Sequence, residues 1–355
     1  LDYRKLNNVT RKDVFPLPLI DECLDTLTGN VWFSKLDANS TFHQIRISPK
    51  DRQKTAFITK YGLFEFMRKG FGLCNAPVTF SRAMSLVLRD LTWCIVLAIL
   101  DNALVLGKDF KSHLNNLREV FLRFREFDFK FKPKKCKQFQ TWVEFLGRQV
   151  SCHGIEMGDA YISAVWEWAV PSNVKEVERF LGFANYHRAF IARYAVLANP
   201  LYSVTGKNPF HWGPEQQTAF EGLRIALTSP PTLAMPIPEE MFVLDTDASG
   251  DTIGAELSQV QEGVERPIVY RSLSLGRDLR KYCTIRKELL AVVRFTSMYC
   301  HYLLGRRFIV RTNHHSLIWL LNFKSPQDQL ARWLKELSQY NMEIQHRPGH
   351  KHIQR

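Results

Sequence analysis

Apolar and polar positions alternate through VWFSKLDAN, with Val31, Phe33, Lys35 and Asp37 on one face and Trp32 and Leu36 on the other. That period of two predicts a strand ending at Asp37. A second extended run is expected over FHQIRI, from Phe42 to Ile47, stopping at Ser48-Pro49. NAPVTFSRAMSLVL reads as a helix with Asn75 near its cap and Pro77 in its first turn. CIVLAIL and ALVLG then flank Asp101-Asn102. Two apolar runs around two turn-forming residues predict a β-hairpin with that dipeptide at its tip. Ser112 is the expected cap of the next helix, whose stripe is Leu114, Leu117, Val120, Phe121 and Phe124. Phe127, Phe129 and Phe131 alternate as in a strand, and Lys130, Lys132, Lys134, Lys135 and Lys137 follow closely.

From about residue 154 the texture changes to helices with short loops. Asn173 with Glu176 resembles a capping box, and Pro214 opens a helix with Phe220, Leu223 and Leu227 on one side. SPPTLAMPIPEE carries four prolines and is the expected linker, with a boundary near residues 229–240. MFVLDTDASG then begins a strand-rich unit. A long helix around KELLAVV, a strand at RFIVRTN and a helix from Ser325-Pro326 bearing Leu330, Trp333, Leu334 and Leu337 complete it. No internal repeat or low-complexity segment is present.

Composition narrows the class. At 355 residues the chain is expected to hold more than one core, and 45% hydrophobic with 12% aromatic residues is a globular balance. The net charge of +13 favours an anionic partner, nucleic acid first. Seven scattered cysteines without a C-x-x-C pair fit reduced thiols in an intracellular setting, cytoplasmic or nuclear, and show no zinc ligand set. No signal peptide or membrane-length apolar run is seen, so no membrane partner is expected. The opening LDYRKLN, without an initiator Met, reads as the middle of a folded unit, hence a fragment of a longer polypeptide.

The candidate chemistry is carried by carboxylates. Phosphoryl transfer on nucleic acids is often run by two magnesium ions about 3.5–4 Å apart, which converging carboxylates hold. Asp37 at a strand end and Asp101 at a hairpin tip meet if their strands are neighbours; Asp247 ends a later strand and Glu288 opens a helix. By spacing alone the plainer alternatives stay open. Asp37 then caps a turn, Asp101-Asn102 form only an I′-type turn, and Glu288 is a solvated helix residue.

Read together and in order, LDYRKLNNVTRKDVFPLP, FSKLDANSTFHQI, KTAF, YGLFEFMRKGFGLCNAPVTFSRAM, AILDNALV, KPKKC and FLGRQVS resemble the reverse transcriptase of gypsy-type LTR retrotransposons, part of their Pol polyprotein. VKEVERFLGFANYHRAFI and PLYSVTGKNPFHWGPEQQTAFEGLRIALTSPPTLAMP look like the connection region. LDTDASGDTIGAELSQ, YCTIRKELLAVV, YLLGRRFIVRTNHHSLIWLL and LARWLKELSQY look like the RNase H domain. The resemblance covers essentially the whole chain. It implies an α+β fold: a right-hand polymerase palm and thumb with truncated fingers, a connection domain, and an RNase H-like α/β domain. The implied domains are residues 1–150 (partial fingers and palm), 151–235 (thumb and connection) and 236–355 (RNase H-like, truncated at its C-terminus).

Carried over by residue, the resemblance makes Asp37 and Asp101 catalytic, metal-holding palm aspartates, with Asn102 at a further catalytic position. Phe42 matches the aromatic gate that crowds a 2′-hydroxyl; on its own it reads rather as a core aromatic on a strand. Phe71 and Gly72 fall beside the incoming nucleotide. Lys134 and Lys135 lie where the family has a basic strand near nucleotide and primer, though a solvated charge run explains them as well. FLGRQVS, from Phe145, resembles the hairpin that grips the primer end. Asp247 and Glu288 match the first two metal-holding carboxylates of RNase H, with Asn313 at the third. The implied partners are RNA template, DNA primer, RNA–DNA hybrid and dNTP, and the implied cofactor is Mg²⁺ in two-metal sites.

The departures fall on the chemistry. Where the family has YLDD this chain has Ile99-Leu100-Asp101-Asn102, and where it has R-T-D-H this chain has Asn313. Gly70 replaces a usual proline and Thr41 a usual glycine. A fourth RNase H aspartate would follow His352, but the chain ends at Arg355, and the nucleotide-gripping Lys and Arg of the fingers would precede Leu1. The polymerase centre keeps two of three carboxylates and the nuclease centre two of four. The expectation is a retroelement-derived polymerase with RNase H, impaired at both sites and with weakened metal binding. The alternative is a pseudoenzyme, host-retained, that binds primer–template or RNA–DNA without catalysis. Oligomeric state is not legible.

Overall fold

The computed structural model describes residues 1–16, 20–99, 102–206, 208–315, 317 and 328–347. Contacts divide the chain into two compact units, Leu1–His153 and Gly154–Arg355. Asp101, Leu100, Ser325-Pro326 and His352 lie outside the described residues.

The first unit runs α1 (Arg4–Val9), α2 (Ile20–Thr26), β1 (Trp32–Asp37), α3 (Pro49–Arg52), β2 (Phe57–Thr59), β3 (Gly62–Phe64), α4 (Ala76–Val87), β4 (Val96–Ile99), β5 (Asn102–Gly107), α5 (Phe110–Glu126), β6 (Lys137–Gln140), β7 (Trp142–Phe145) and β8 (Arg148–Ser151). Its main sheet has the order β4-β5-β1-β6, with β1 antiparallel to both neighbours. Leu36 from β1 and Val105 from β5 face Phe80, Met84 and Val87 of α4 and Leu117, Val120 and Phe124 of α5 in one core. α4 begins as its sequence requires, with Asn75 at the N-cap and Pro77 in the first turn. β2 and β3 form a separate two-stranded ribbon.

Five local expectations are corrected. Ile99 pairs with Asn102, so Asn102 belongs to β5 and not to the turn that its chemistry suggested. The run from Phe42 is not a strand. Thr41–Gln44 is a 3₁₀ turn entered through left-handed Ser40, and it is held by the Gln44 side chain, whose amide donates to Asn39 O and Lys130 O and whose oxygen accepts the Lys130 N–H. Residues 127–131 form no strand either. Phe127 closes α5, Asp128 is left-handed, and Phe131 makes a single bridge to Ala38, while Phe129 and Phe131 pack on the core as half-buried rings. Asp109, not Ser112, is the N-cap of α5: its carboxylate accepts the Ser112 N–H and the Ser112 hydroxyl accepts the Asp109 N–H, a reciprocal capping box. The buried stripe of α5 is therefore His113, Leu117, Val120 and Phe124, with Leu114 and Phe121 exposed. Lys134 and Lys135 sit in a 3₁₀ turn, Pro133–Lys135, ahead of β6 rather than on a strand.

The hairpin expected at FLGRQVS is present: β7 pairs with β8 through Leu146 and Gly147, both at positive φ, as a two-residue turn demands.

The second unit runs β9 (Gly154–Met157), α6 (Asp159–Trp166), α7 (Val174–Tyr186), α8 (Tyr194–Tyr202), α9 (Pro214–Thr228), β10 (Phe242–Ser249), β11 (Thr252–Gln261), β12 (Val264–Ser274), α10 (Arg277–Arg280), α11 (Thr284–Met298), α12 (Cys300–Leu303), β13 (Arg307–Thr312), α13 (Asp328–Leu337) and β14 (Asn341–His346). Its helices α7, α8 and α9 close on Phe180, Leu181, Ala198, Leu201, Phe220 and Leu223. The proline-rich segment before β10 is packed: Leu233 bridges Ile155, and Ala234 N–H donates to Pro267 O. The sheet order is β12-β11-β10-β13-β14, antiparallel except for the parallel pairs β10–β13 and β13–β14. α11 covers one face, burying Leu289, Val292, Val293 and Phe295 against Phe242, Leu244, Leu257 and Val310.

Candidate active sites

In the first unit, strand pairing builds the site. β1 and β5 are in register so that Asp37 lies directly opposite Asn102. The Asp37 carboxylate is one-fifth exposed, and the Lys135 ammonium stands 3.8 Å from its Oδ2. Asp37 O also accepts the Lys132 N–H at 3.0 Å, which fastens the basic turn beside the strand end. Lys134 shares that turn but forms no ion pair among the described residues. Phe42, five residues beyond Asp37, is half-buried, its ring 5.1 Å from Phe71 and 6.4 Å from Phe80. Gly72 sits at φ +93°, a backbone that a side chain would strain, and its carbonyl accepts Asn7 Nδ2 at 2.8 Å. The structure thus brings together Asp37, Asn102 and Lys135, and, as a separate pair, Phe42 with Phe71.

In the second unit, β10 carries Asp247 and α11 carries Glu288. Both Asp247 oxygens are engaged by donors: Asn313 Nδ2 reaches Oδ1 at 3.0 Å, and Arg193 Nη2 reaches Oδ2 at 3.1 Å. Glu288 is buried; its Oε1 accepts the Ala248 N–H at 3.2 Å, and Oε2 has no hydrogen-bond partner among the described residues. Burial first, and the neighbouring Asp247 charge second, push its carboxyl up to about 7. Arg193, Asp247 and Asn313 line a cavity of about 260 Å³ together with Asp245, Glu256 and Arg271. Asp245 on β10 is itself bound by Arg311 at 3.5 Å and Arg347 at 3.3 Å, and Glu265 takes Arg311 at 2.7 Å.

Sequence reasoning missed two residues here. Gln44 ties the loop after Asp37 to Lys130. Arg193 reaches Asp247 from 54 positions away in the chain. Neither has a local signal, because each acts on a partner brought close only by folding. Among the described residues no group of three or more His, Cys, Asp or Glu is arranged to hold a metal ion.

A family profile described as "Reverse transcriptase (RNA-dependent DNA polymerase)" matches residues 1–150. A second, "RNase H-like domain found in reverse transcriptase", matches residues 237–340. The retrovirus-related Pol polyprotein from transposon 297 of Drosophila melanogaster is 38% identical over 98% of this chain and 33% of its own length. The chain belongs to the reverse transcriptase–RNase H family of retrotransposon Pol polyproteins. The Pol polyprotein from transposon 412 of the same fly is 34% identical, and the transposon Tf2-7 polyprotein of Schizosaccharomyces pombe 32% identical, each over 98% of the chain. The chain spans between 27% and 33% of the length of these relatives.

The fold agrees with the family. A foamy viral protease–reverse transcriptase dRH in complex with double-stranded DNA matches 98% of this chain and 62% of its own at a TM-score of 0.84 and 21% identity. The foamy viral protease–reverse transcriptase in complex with RNA/DNA hybrid matches 98% of this chain and 48% of its own at 0.77 and 21%. The α+β architecture is that of a reverse-transcriptase polymerase joined to an RNase H-like domain. No helix among the described residues is long and apolar enough to cross a membrane.

Proposed function

We propose that this chain is the polymerase–RNase H part of a retroelement Pol, working on RNA template, DNA primer, RNA–DNA hybrid and dNTP, with weakened chemistry at both centres. The observation that carries the reading is the register that sets Asp37 opposite Asn102 at the end of the β4–β5 hairpin. A carboxylate and the end of a hairpin meet there beside a basic turn, as template-directed nucleotide addition requires. The net charge of +13 and the nucleic acid bound by the foamy viral proteins support the choice of partner.

Each residue has a role in this reading. Phe42, braced by Phe71, presents the ring edge that excludes a 2′-hydroxyl, and Gly72 lets backbone approach the nucleotide. Lys135 balances Asp37, and Lys134 faces phosphate. The β7–β8 hairpin from Phe145 holds the primer end. The domains are residues 1–150, 151–235 and 236–355, in an intracellular setting.

Magnesium would be held in the polymerase domain by Asp37 with Asp101, where it would draw charge from the primer oxygen and the triphosphate. Asp37 fits this use, being reachable from solvent, but Asn102 offers a neutral oxygen where an anion would help. The nuclease residues do not fit two ions. The Asn313 amide donates to Asp247 instead of adding an anionic oxygen, and Arg193 sets a positive charge against the other Asp247 oxygen. That arrangement favours the second reading, hybrid binding without cleavage, for the RNase H-like domain.

Primer extension with Mg²⁺ or Mn²⁺ tests the proposal. Expected is weak synthesis by the chain as it stands and at least about a tenfold gain in Asn102→Asp, the order of one transition-state contact. Full-rate synthesis without that change sinks the impairment. Absence of hybrid binding at low salt sinks the nucleic-acid reading.

A further inference from the structure

Histidine is unevenly distributed along the chain. Five of the eleven, His314, His315, His346, His350 and His352, fall between residue 314 and the last residue. None of them has a role in either centre. His314 and His315 follow β13, and His346 ends β14. The two strands run parallel, with Thr312 paired to His346. Parallel pairing puts both strand ends at one edge of the sheet, together with the residues just beyond β13. There the His315 and His346 rings stand 5.4 Å apart, centre to centre, at 73° to one another. Both residues are exposed.

The backbone under the pair is fastened on both sides. Arg347 N–H donates to Thr312 O at 2.9 Å, which prolongs the β13–β14 ladder past His346. His314 N–H donates to the Thr312 hydroxyl at 3.2 Å, and Leu317 N–H closes a turn on His314 O at 3.1 Å. Leu317 is fully buried and anchors the far end of that turn, with His315 inside it. Fixed backbone of this kind is what a binding site needs. Proton placement says more than spacing. His346 Nε2 lies 3.1 Å from Asn313 O. A carbonyl oxygen has no hydrogen to give, so Nε2 must be the N–H, and in the neutral ring the lone pair is then on Nδ1. A metal-bound histidine ordinarily has this arrangement, with one nitrogen donating to a carbonyl and the other on the ion.

We propose that His315 and His346 form a two-imidazole site for a divalent transition metal, zinc-like rather than magnesium-like. Imidazole nitrogen suits Zn²⁺, Ni²⁺ and Cu²⁺, whereas Mg²⁺ takes oxygen ligands. With metal–nitrogen bonds of about 2.0–2.1 Å and a tetrahedral angle of about 109°, two imidazoles on one ion have ring centres about 5 Å apart, close to the separation present. No third His, Cys, Asp or Glu completes the set among the described residues, so water fills the remaining positions. The ion is distinct from the magnesium proposed for the polymerase centre, and the site stands whether or not the chain binds nucleic acid. Bound there, the ion would clip the end of edge strand β14 to the turn that follows Asn313. Asn313 is the residue whose amide engages Asp247, so the clip would steady that contact.

Isothermal titration calorimetry of the full chain with Ni²⁺, in a large excess of Mg²⁺, tests this. Expected is saturable Ni²⁺ binding that Mg²⁺ does not displace. His315→Ala and His346→Gln are each expected to weaken it by at least about tenfold. Gln at position 346 can still donate to Asn313 O, so its loss reports the missing imidazole lone pair rather than the hydrogen bond. Saturating Zn²⁺ is expected to raise the melting temperature of the parent chain by about 2–4 °C and to leave both variants unmoved. Both positions are exposed, so each metal-free variant is expected to melt as the parent does; should one fail to fold, the other carries the test. Asp247→Asn is expected to leave the Ni²⁺ affinity within about twofold. Affinity unchanged in both histidine variants overturns the site. Displacement by Mg²⁺, or loss of Ni²⁺ in Asp247→Asn, overturns it by moving the ion to the carboxylates. Binding that survives both histidine variants and vanishes in His350→Ala with His352→Ala overturns it by assigning the ion to the terminal segment.

Discussion

Glu288 shows how one buried carboxyl sets a pH window. Its folded-state value of about 7 lies above the ordinary value of about 4.3 for an unfolded glutamate. Between those two values the folded chain keeps a proton that the unfolded chain releases, so the Glu288 contribution to stability is greatest below the lower value and falls as pH rises to the upper. Glu288→Gln removes the buried charge and its repulsion with Asp247. Expected is a gain of roughly 1–3 kcal/mol at about pH 8 that vanishes below about pH 4, measured by urea denaturation. An equal gain at both pH values would point to packing instead. At Asp247 the contrast is with exposure. Arg193 is more than half exposed, so its ion pair adds little stability, and its importance lies in which charge it puts beside the carboxylate.

At the scale of elements, the junction of β5 with α5 holds the first unit's site in place. Gly107 ends β5 against fully buried His113: a Cβ there would lie 2.7 Å from the His113 Cα. His113 in turn places Nε2 2.8 Å from Ser34 Oγ on β1, and that hydroxyl accepts the Phe139 N–H from β6 at 3.0 Å. Helix, central strand and neighbouring strand are thus pinned by one imidazole, whose pKa burial holds below the ordinary histidine value. Gly107→Ala is expected to destabilise by roughly 1–3 kcal/mol, because overpacking must shift backbone rather than a flexible side-chain end. Removing the α5 cap with Asp109→Ala is expected to cost about 1 kcal/mol and to leave nucleic-acid affinity unchanged. Chemical denaturation of each variant, with hybrid binding measured in parallel, checks both.

For the whole molecule the governing quantity is charge. With 48 Lys and Arg against 35 Asp and Glu, binding to a polyanion is expected to release counterions in proportion to the phosphates neutralised. Hybrid affinity is expected to fall by about a thousandfold between about 50 and 200 mM salt if six or more phosphates are contacted. A slope near zero in a salt titration would show that the basic surface serves another purpose. The family and fold carry this expectation, since the match to reverse-transcriptase relatives extends along 98% of the chain.

Much of this protein was determined by its sequence alone. The alternation before Asp37, the Asn75-Pro77 helix start, the apolar runs around Asp101-Asn102 and the strand leading to Asp247 were all legible, because period and turn chemistry are local properties. So was the presence of neutral amides at Asn102 and Asn313, which needs only the residue type. Tertiary structure decided what those residues meet. The strand expected from Phe42 became a 3₁₀ turn because the Gln44 side chain bridges the nearby Asn39 O to Lys130, 86 positions away. Asn102 fell inside β5 because pairing across β4 and β5, and of β5 with β1, fixes register more strongly than turn preference. Arg193 became a neighbour of Asp247 only once the chain had closed on itself. Long-range contacts of this kind leave no periodic trace in the sequence, since each depends on the joint packing of elements that are individually indifferent to one another.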